Sequence, residues 1–407
     1  MASPDSVGCY TRDVPRVFPF KGLTYLDSAG PLEQVTAPPY DVISDSRRRA
    51  YLRSSPHSVV HLDLAEGSED PSDANNRYGR AAALLRNWEG QGAVRRDRTP
   101  QYRAYEMAFD LNGEARRIRG LFLALELETW GTGVIPHERT MPGPIEDRLR
   151  LLRATRTHLS AVYGAIAGPS LPLAELLDGV TAKAPSHEML DEQGVRHRMW
   201  TVPARPEIAT WFAQTPILIA DGHHRYTTAL SYRDEMHHER GPGPWDRVLA
   251  LVVDAAAERL PVLPFHRLQL TGEAPTGGIE IDGLGEALAA VSDDDVTVAT
   301  ISKDHQRLRY AVVRLSGEAP AVRALHEERL HGFTEVGDLA FTPDAQGALD
   351  AVASGAAVAA WLLPPTTSER IREVIGRGER LPQKSTYFWP KPRTGMVMMP
   401  VDGVSPA

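Results

Sequence analysis

The sequence predicts an α+β protein, on three observations. Tyr105, Met107, Phe109 and Leu111 alternate with polar or small residues, and Asn112-Gly113 supplies a two-residue turn that tolerates positive φ. The return strand over Arg119–Glu128 completes a hairpin. The apolar run Pro216-Ile-Leu-Ile-Ala stops at Asp221-Gly222 and opens straight into a helix over His223–Glu239. Residues 271–350 change character, becoming acidic and rich in glycine and alanine, with a strand–turn–strand pattern around Thr297–Leu315. The expected organisation is a core over 10–270 with N-terminal strands and helical elements, a smaller inserted or appended α/β unit over 271–350, and a segment over 351–401 that returns to the site.

Short strands are expected first, at Val14–Phe20 and again from Val35 to Ile43. The pair Pro38-Pro39 should stiffen the second, since each proline fixes its own φ and restricts the residue before it. After a polar stretch, Glu66–Asn76, the residues Tyr78, Ala81, Ala82, Leu85 and Trp88 recur at helical spacing. Beyond the hairpin, Ile145–Val162 reads as a helix with Leu149, Leu152 and Leu159 on one side. Arg247–Asp254 reads as a buried strand. Gly378–Val401 is too polar and proline-punctuated to be core, yet too aromatic for a disordered tail.

Composition narrows the function classes. The chain has 407 residues, 42% hydrophobic and 24% charged, so it is globular rather than disordered or fibrous. Its net charge of −8 argues against nucleic acid as the main partner. Cys9 is the single cysteine, which rules out an intramolecular disulfide and any multi-cysteine zinc cluster and suits a reducing, cytoplasmic compartment. No apolar run approaches the ~18 residues of a membrane span, and the first residues lack the basic and apolar regions of a signal peptide, so neither a membrane partner nor a leader is expected.

The strongest chemical signal is Ala220-Asp-Gly-His-His-Arg-Tyr-Thr-Thr-Ala-Leu at the strand-to-helix junction. Gly222 lets the backbone turn sharply and a ligand approach. The opening amides of such a helix, roughly His223 to Tyr226, lack an intrahelical acceptor and carry partial positive charge, so an anion is favoured there. His223, His224 and Arg225 add donors, and Thr227 and Thr228 add hydroxyls one turn in. The junction reads as a phosphate cradle; the plainer alternative is that Asp221 merely caps the helix.

Three smaller groups join it. His137-Glu138 precedes Pro142-Gly-Pro and Glu146-Asp147-Arg148, with Arg148 too early in its helix to serve the dipole. Gln383-Lys384-Ser385-Thr386 sets a lysine beside two hydroxyls, though no Walker motif precedes it. Asp41 after Pro38-Pro39-Tyr40, and His266-Arg267 after Pro264, are polar residues pinned by stiff backbone. The histidines also admit a metal-dependent hydrolase, but His137-Glu138 is not followed by the spacing of a zinc-protease motif, and the adjacent His223 and His224 point to different sides of a helix start.

Four segments together resemble a widespread bacterial domain-of-unknown-function family, the one numbered ten-fifteen. They are Pro38-Pro-Tyr-Asp-Val-Ile, His137-Glu138 followed by Gly143-Pro-Ile-Glu-Asp-Arg-Leu, Ala220-Asp-Gly-His-His-Arg-Tyr-x-Thr-Ala, and Pro382-Gln-Lys-Ser-Thr-Tyr-Phe-x-Pro-Lys. The resemblance spans about residues 14–400. The family's junction is similar to that of free-serine kinases built on the ParB/sulfiredoxin-like fold. In sulfiredoxin the related glycine–histidine–arginine turn holds ATP phosphates, and in ParB-type proteins it holds a nucleotide.

The resemblance implies a ParB/sulfiredoxin-like nucleotide-binding core with mixed sheets. It implies ATP or ADP phosphates at Gly222, His223, His224 and Arg225, and phosphoryl transfer to a small hydroxyl substrate such as serine. Taken with the residues above, Tyr226, Thr227, Lys384, Ser385 and Thr386 join the nucleotide site, with Mg²⁺ as its companion. Asp221, Glu138 and Asp41 are the catalytic candidates, and His137, Arg148, His266 and Arg267 the substrate-binding ones. The expected activity is a small-molecule kinase; the alternatives are a nucleotide-binding regulator with little turnover, or the metal-dependent hydrolase. The simpler kinases are much shorter, which leaves the acceptor open, and a homo-oligomeric state stays open too.

Overall fold

A computed structural model describes residues 15–402 apart from 71, 74, 141, 167–170, 214, 306 and 335–336. Cys9 and Val14 lie outside the described residues. The protein is a mixed α+β structure in two compact units. The first comprises residues 1–136, 140–260 and 390–407, and the second 137–139 and 261–389.

The first unit is organised by one large sheet. Its strands run, in order across the sheet, Val134–Ile135, Ile217–Asp221, Val162–Ile166, Arg247–Asp254, Glu114–Glu126, Gln101–Leu111, Arg196–Pro203 and His187–Leu190, with Val17–Phe18 added against Glu114–Glu126. Ile217–Asp221 pairs in parallel with Val134–Ile135, and Arg247–Asp254 in parallel with Val162–Ile166; the remaining pairs are antiparallel. The hairpin forms because Asn112 and Gly113 both take positive φ, 56° and 82°, the twist a two-residue turn needs. Pairing extends to Leu111 opposite Glu114, so the return strand begins at Glu114, ahead of the Arg119 expected from its apolar residues.

One face of this sheet carries Leu121, Leu123, Val162, Ala250 and Val252, and Tyr226 and Ala229 of the helix His223–Arg240 pack into the same cluster. Alternation along each strand turns Tyr105, Phe122 and Tyr163 the other way. A second cluster gathers Trp88 and Leu85 of the helix Arg77–Gly90 with Leu151, Leu23 and Met398. Each such fully buried large apolar side chain contributes roughly 1.5–3 kcal/mol.

Three expectations are corrected here. Val35–Ile43 is not a strand: a single helical turn, Leu32–Val35, is followed by a 3-10 turn, Tyr40–Val42. Two prolines side by side offer no amide for a ladder. The helix expected over Ile145–Val162 is Pro142–Thr155; Arg156 stands at φ 49°, which ends it, and Val162 already belongs to a strand. The polar stretch before Val401 is core, with Leu381, Phe388, Met396 and Met398 at most 4% exposed.

The second unit centres on a six-stranded antiparallel sheet ordered Ile279–Ile281, Arg307–Arg314, Thr297–Asp304, Ala359–Leu362, His266–Gln269 and Leu339–Thr342. Ala348 and Val352 of the helix Ala345–Ser354 pack on Ala299, Ile301, Ala360 and Leu362. A short ladder, Val262–Leu263 with Tyr387–Phe388, carries the segment 381–389.

Candidate functional site

The junction at Asp221 is built from a bulge, a left-handed glycine and a long helix. The register between Ile217–Asp221 and Val162–Ile166 slips between Ile219 and Asp221, which sets Asp221 opposite Tyr163. Gly222 takes φ 95° and ψ 29°, and a Cβ there would lie 3.0 Å from the Arg225 guanidinium, so only glycine fits. The helix that follows has 18 residues and no side-chain cap. Its first backbone bond is already made at Tyr226, whose amide donates to the Gly222 carbonyl at 2.9 Å. Tyr226 is therefore not among the opening amides, contrary to expectation.

Both oxygens of Asp221 are engaged by cations. Arg225 binds Oδ2 and also donates to the Ala161 carbonyl; Lys391 binds Oδ1. The three side chains are nearly buried, at 13%, 10% and 6% exposure. Opposite Asp221, the Tyr163 hydroxyl is buried with no hydrogen-bond partner among the described residues. Burial, then the charges of Glu258 and Asp221, push that phenol well above its usual range, so it stays protonated.

A second charged group adjoins through Arg225. Asp63 ends the helical turn Val60–Asp63, and its Oδ1 accepts from Arg148 Nη1 at 2.7 Å. Arg148 also donates to the Asp63 carbonyl at 2.9 Å and through Nε to Asp147 Oδ2 at 2.8 Å, with the Tyr40 ring 4.4 Å from its guanidinium carbon. Burial raises the Asp63 carboxyl despite the opposing charges of Arg148 and Arg225. Asp147 is also burdened by burial, but Arg148, Tyr78 and Arg77 together hold it below the usual carboxylate range. Asp63, Asp147, Arg77 and Arg148 line a cavity of about 170 Å³.

In the second unit a carboxylate is held by backbone instead. Glu138 accepts from the amides of Lys384 (3.1 Å), Ser385 (3.0 Å) and Thr386 (3.0 Å) and from the Thr386 hydroxyl (2.9 Å). Successive amides converge because Lys384 sits in the left-handed region, φ 52°, making a concave nest for an anion. His137, fully buried, contacts the same Thr386 hydroxyl through Nε2 at 2.7 Å. Arg267, fully buried, donates to the carbonyls of Phe265 (2.7 Å), Lys384 (2.8 Å) and Gln383 (3.3 Å), and its Nε to His326 Nε2 at 3.1 Å. Burial and the Arg267 charge push His266 down to about 4 and His326 to about 3, so both rings are neutral acceptors; His266 Nδ1 takes the Leu363 amide.

Residues 17–329 match the family model described as "Protein of unknown function (DUF1015)". The chain belongs to the DUF1015 family. No curated protein matches it. The solved structures similar to it include the following three. One is a free serine kinase in complex with AMP, at 16% identity and TM-score 0.36, covering 66% of this chain and 86% of that one. Another is a conserved hypothetical protein from Pyrococcus furiosus, at 16% and 0.35, covering 67% and 93%. The third is SbnI with C-terminal truncation from Staphylococcus aureus, at 10% and 0.35, covering 67% and 85%. Likeness at this level says nothing of chemistry.

Within this DUF1015 protein the residues singled out from the sequence fall into separate groups. Asp221, Gly222, His223, His224 and Arg225 share the junction, and Arg148 is bonded to Asp63, a carboxyl within electrostatic reach of Arg225. His223 stacks on Trp130, ring centroids 6.1 Å apart. Tyr226 is buried, its hydroxyl exchanging hydrogen bonds with the Glu128 backbone, and Thr227 Oγ1 is buried with no hydrogen-bond partner among the described residues. His137, Glu138, His266, Arg267, Lys384, Ser385 and Thr386 belong to the second unit. Asp41 is exposed on its 3-10 turn. Among the described residues no group of three or more His, Cys, Asp or Glu is arranged to hold a metal ion.

Sequence reasoning gave no site role to Asp63, Tyr163 or Lys391, although Lys391 closes the fourth family-like segment. Lys391 had a signal, a lone cation between Pro390 and Pro392; Asp63 had another, a carboxylate inside the apolar run Val59–Leu64. Tyr163 had none, since a tyrosine in a strand is ordinary.

Proposed function

We propose that the first unit binds the phosphates of a nucleotide, ATP or ADP, at the start of the helix His223–Arg240, and transfers a phosphoryl group to a small hydroxyl compound. The observation that carries this reading is Asp221 gathering Arg225 and Lys391 at left-handed Gly222, where the positive end of an 18-residue helix begins. Side-chain cations paired with a side-chain carboxylate reach a phosphate by a change of rotamer, and the helix end favours the same charge. The buried Tyr163 hydroxyl opposite Asp221, without a hydrogen-bond partner among the described residues, supports a polar guest there.

Phosphoryl transfer asks a protein chiefly for alignment and charge neutralisation. Arg225, Lys391 and the opening amides would supply the charge. Asp221 and Asp63 would be the carboxylates to hand for a magnesium ion on the nucleotide, which would neutralise phosphate charge. The cavity lined by Asp63, Asp147, Arg77 and Arg148 offers both signs of charge, as a small zwitterion such as free serine requires.

A thermal-shift panel of nucleotides with Mg²⁺ tests the first step. A nucleotide at a hundred times its Kd stabilises the fold by ~2.7 kcal/mol. Arg225→Ala and Lys391→Met should each abolish the shift. Phosphorus NMR with ATP or ADP and serine then reads transfer; binding without product would favour the regulator. A nucleotide shift that survives both substitutions, or no shift with any nucleotide, overturns the reading.

A further inference from the structure

The segment Pro390-Lys391-Pro392-Arg393 places a buried lysine and a buried arginine two residues apart on a backbone whose φ is fixed on either side of the lysine. Arg393 is 3% exposed. Its Nη1 binds Glu192 Oε2 at 2.9 Å and Oε1 at 3.2 Å, and its Nη2 donates to the Thr36 carbonyl at 3.0 Å. Its amide donates to the Tyr105 hydroxyl at 3.4 Å. The next residue bridges in both directions, the Thr394 amide to the Ala37 carbonyl at 2.7 Å and the Ala37 amide to the Thr394 carbonyl at 3.2 Å.

The Tyr105 hydroxyl is itself anchored. It lies 2.7 Å from His197 Nδ1, and His197 Nε2 lies 3.1 Å from Asp191 Oδ2. Burial keeps His197 below its usual range and so neutral. Its Nε2–H therefore donates to Asp191, and Nδ1 accepts the tyrosine proton. Burial alone would raise the Asp191 carboxyl, but His197 and the amides of Val195 and Gln193 hold it low.

We propose that Arg393, fixed by Glu192, Thr36 and the Tyr105–His197–Asp191 chain, is a positioning residue that sets Lys391 against Asp221. A buried ion pair is weak evidence of stabilisation in itself. A lysine has a long flexible stem, and what the clamp provides is a fixed starting point for that stem. The role in ligand binding rests on the anion-binding reading above; the role in placing Lys391 does not.

The test is the acetylation rate of Lys391 in the full chain at limiting acetic anhydride, read by mass spectrometry and normalised to Lys183 and Lys303. In the parent protein Lys391 should react slowly. Arg393→Met should speed it about tenfold, the order expected when a charge-assisted hydrogen bond loosens. Tyr105→Phe, which keeps the ring and removes only the hydroxyl, should act in the same direction and carries the test if Arg393→Met does not fold. A purely structural role would move all three lysines together. Unchanged relative reactivity of Lys391 in a folded variant overturns the proposal. If Lys391 is released while nucleotide still shifts the melting temperature as before, the positioning role stands and the anion-binding reading falls.

Discussion

Asp221 in the first unit and Glu138 in the second are both nearly buried carboxylates, and they are held by different means. Asp221 is held by side chains, Arg225 and Lys391. Glu138 is held by three consecutive amides and a hydroxyl. Side-chain cations reach another anion by changing rotamer, whereas amides in a left-handed turn cannot move without unmaking the turn. The contrast separates an exchangeable arrangement from a fixture: Glu138 staples 137–139 to 383–386, and Asp221 keeps cations gathered.

Three experiments press on that contrast. Arg267→Met should have the largest effect, costing ~3–5 kcal/mol, because three loop carbonyls and His326 lose their buried donor. Urea unfolding measures it, and a near-neutral result would mean the nest holds without its arginine. Glu138→Ala should cost less, about 2–3 kcal/mol, and acetate in the buffer should restore part of it by refilling the nest. Acetate having no effect would make the carboxylate replaceable by packing alone, and the contrast with Asp221 would dissolve.

The smallest effect is acid sensitivity. His266 and His326 resist protonation in the folded state, down to about 4 and about 3, while the unfolded chain takes up protons near its ordinary histidine range. The unfolded form then binds more protons, so stability is full above pH ~6.5 and falls as pH drops from there toward 4. Each histidine should contribute about 1 kcal/mol of that loss between pH 6 and 5. Denaturation series at the two pH values, repeated with His326→Gln, should show a shallower fall in the variant.

What was legible in the sequence was local. The hairpin at Asn112-Gly113, the strand Arg247–Asp254 and the turn from strand to helix at Gly222 announce themselves by period and by glycine, and these elements formed. What was not legible depends on partners far along the chain. Lys391 looks like a surface charge until Asp221, 170 residues earlier, is beside it. Asp63 looks misplaced in its apolar run until Arg148, 85 residues later, satisfies it. The same blindness made the region before Val401 look like surface, since polarity was read without the groups that neutralise it. Arg156 shows the converse: a helical pattern in the side chains is overruled by one residue with positive φ.

The burial of that last stretch also bears on how the molecule comes into being. Residues 381–389 complete the second unit, and Pro390–Val401 lay Met398 and Met399 into the first. Neither unit is finished until the chain as far as Val401 has left the ribosome. At roughly 5–20 residues per second, the first unit waits on the order of ten seconds after Asp254 for the stretch that brings Met398 into its second core cluster. Nascent chains that end short of Val401 should therefore be chaperone clients.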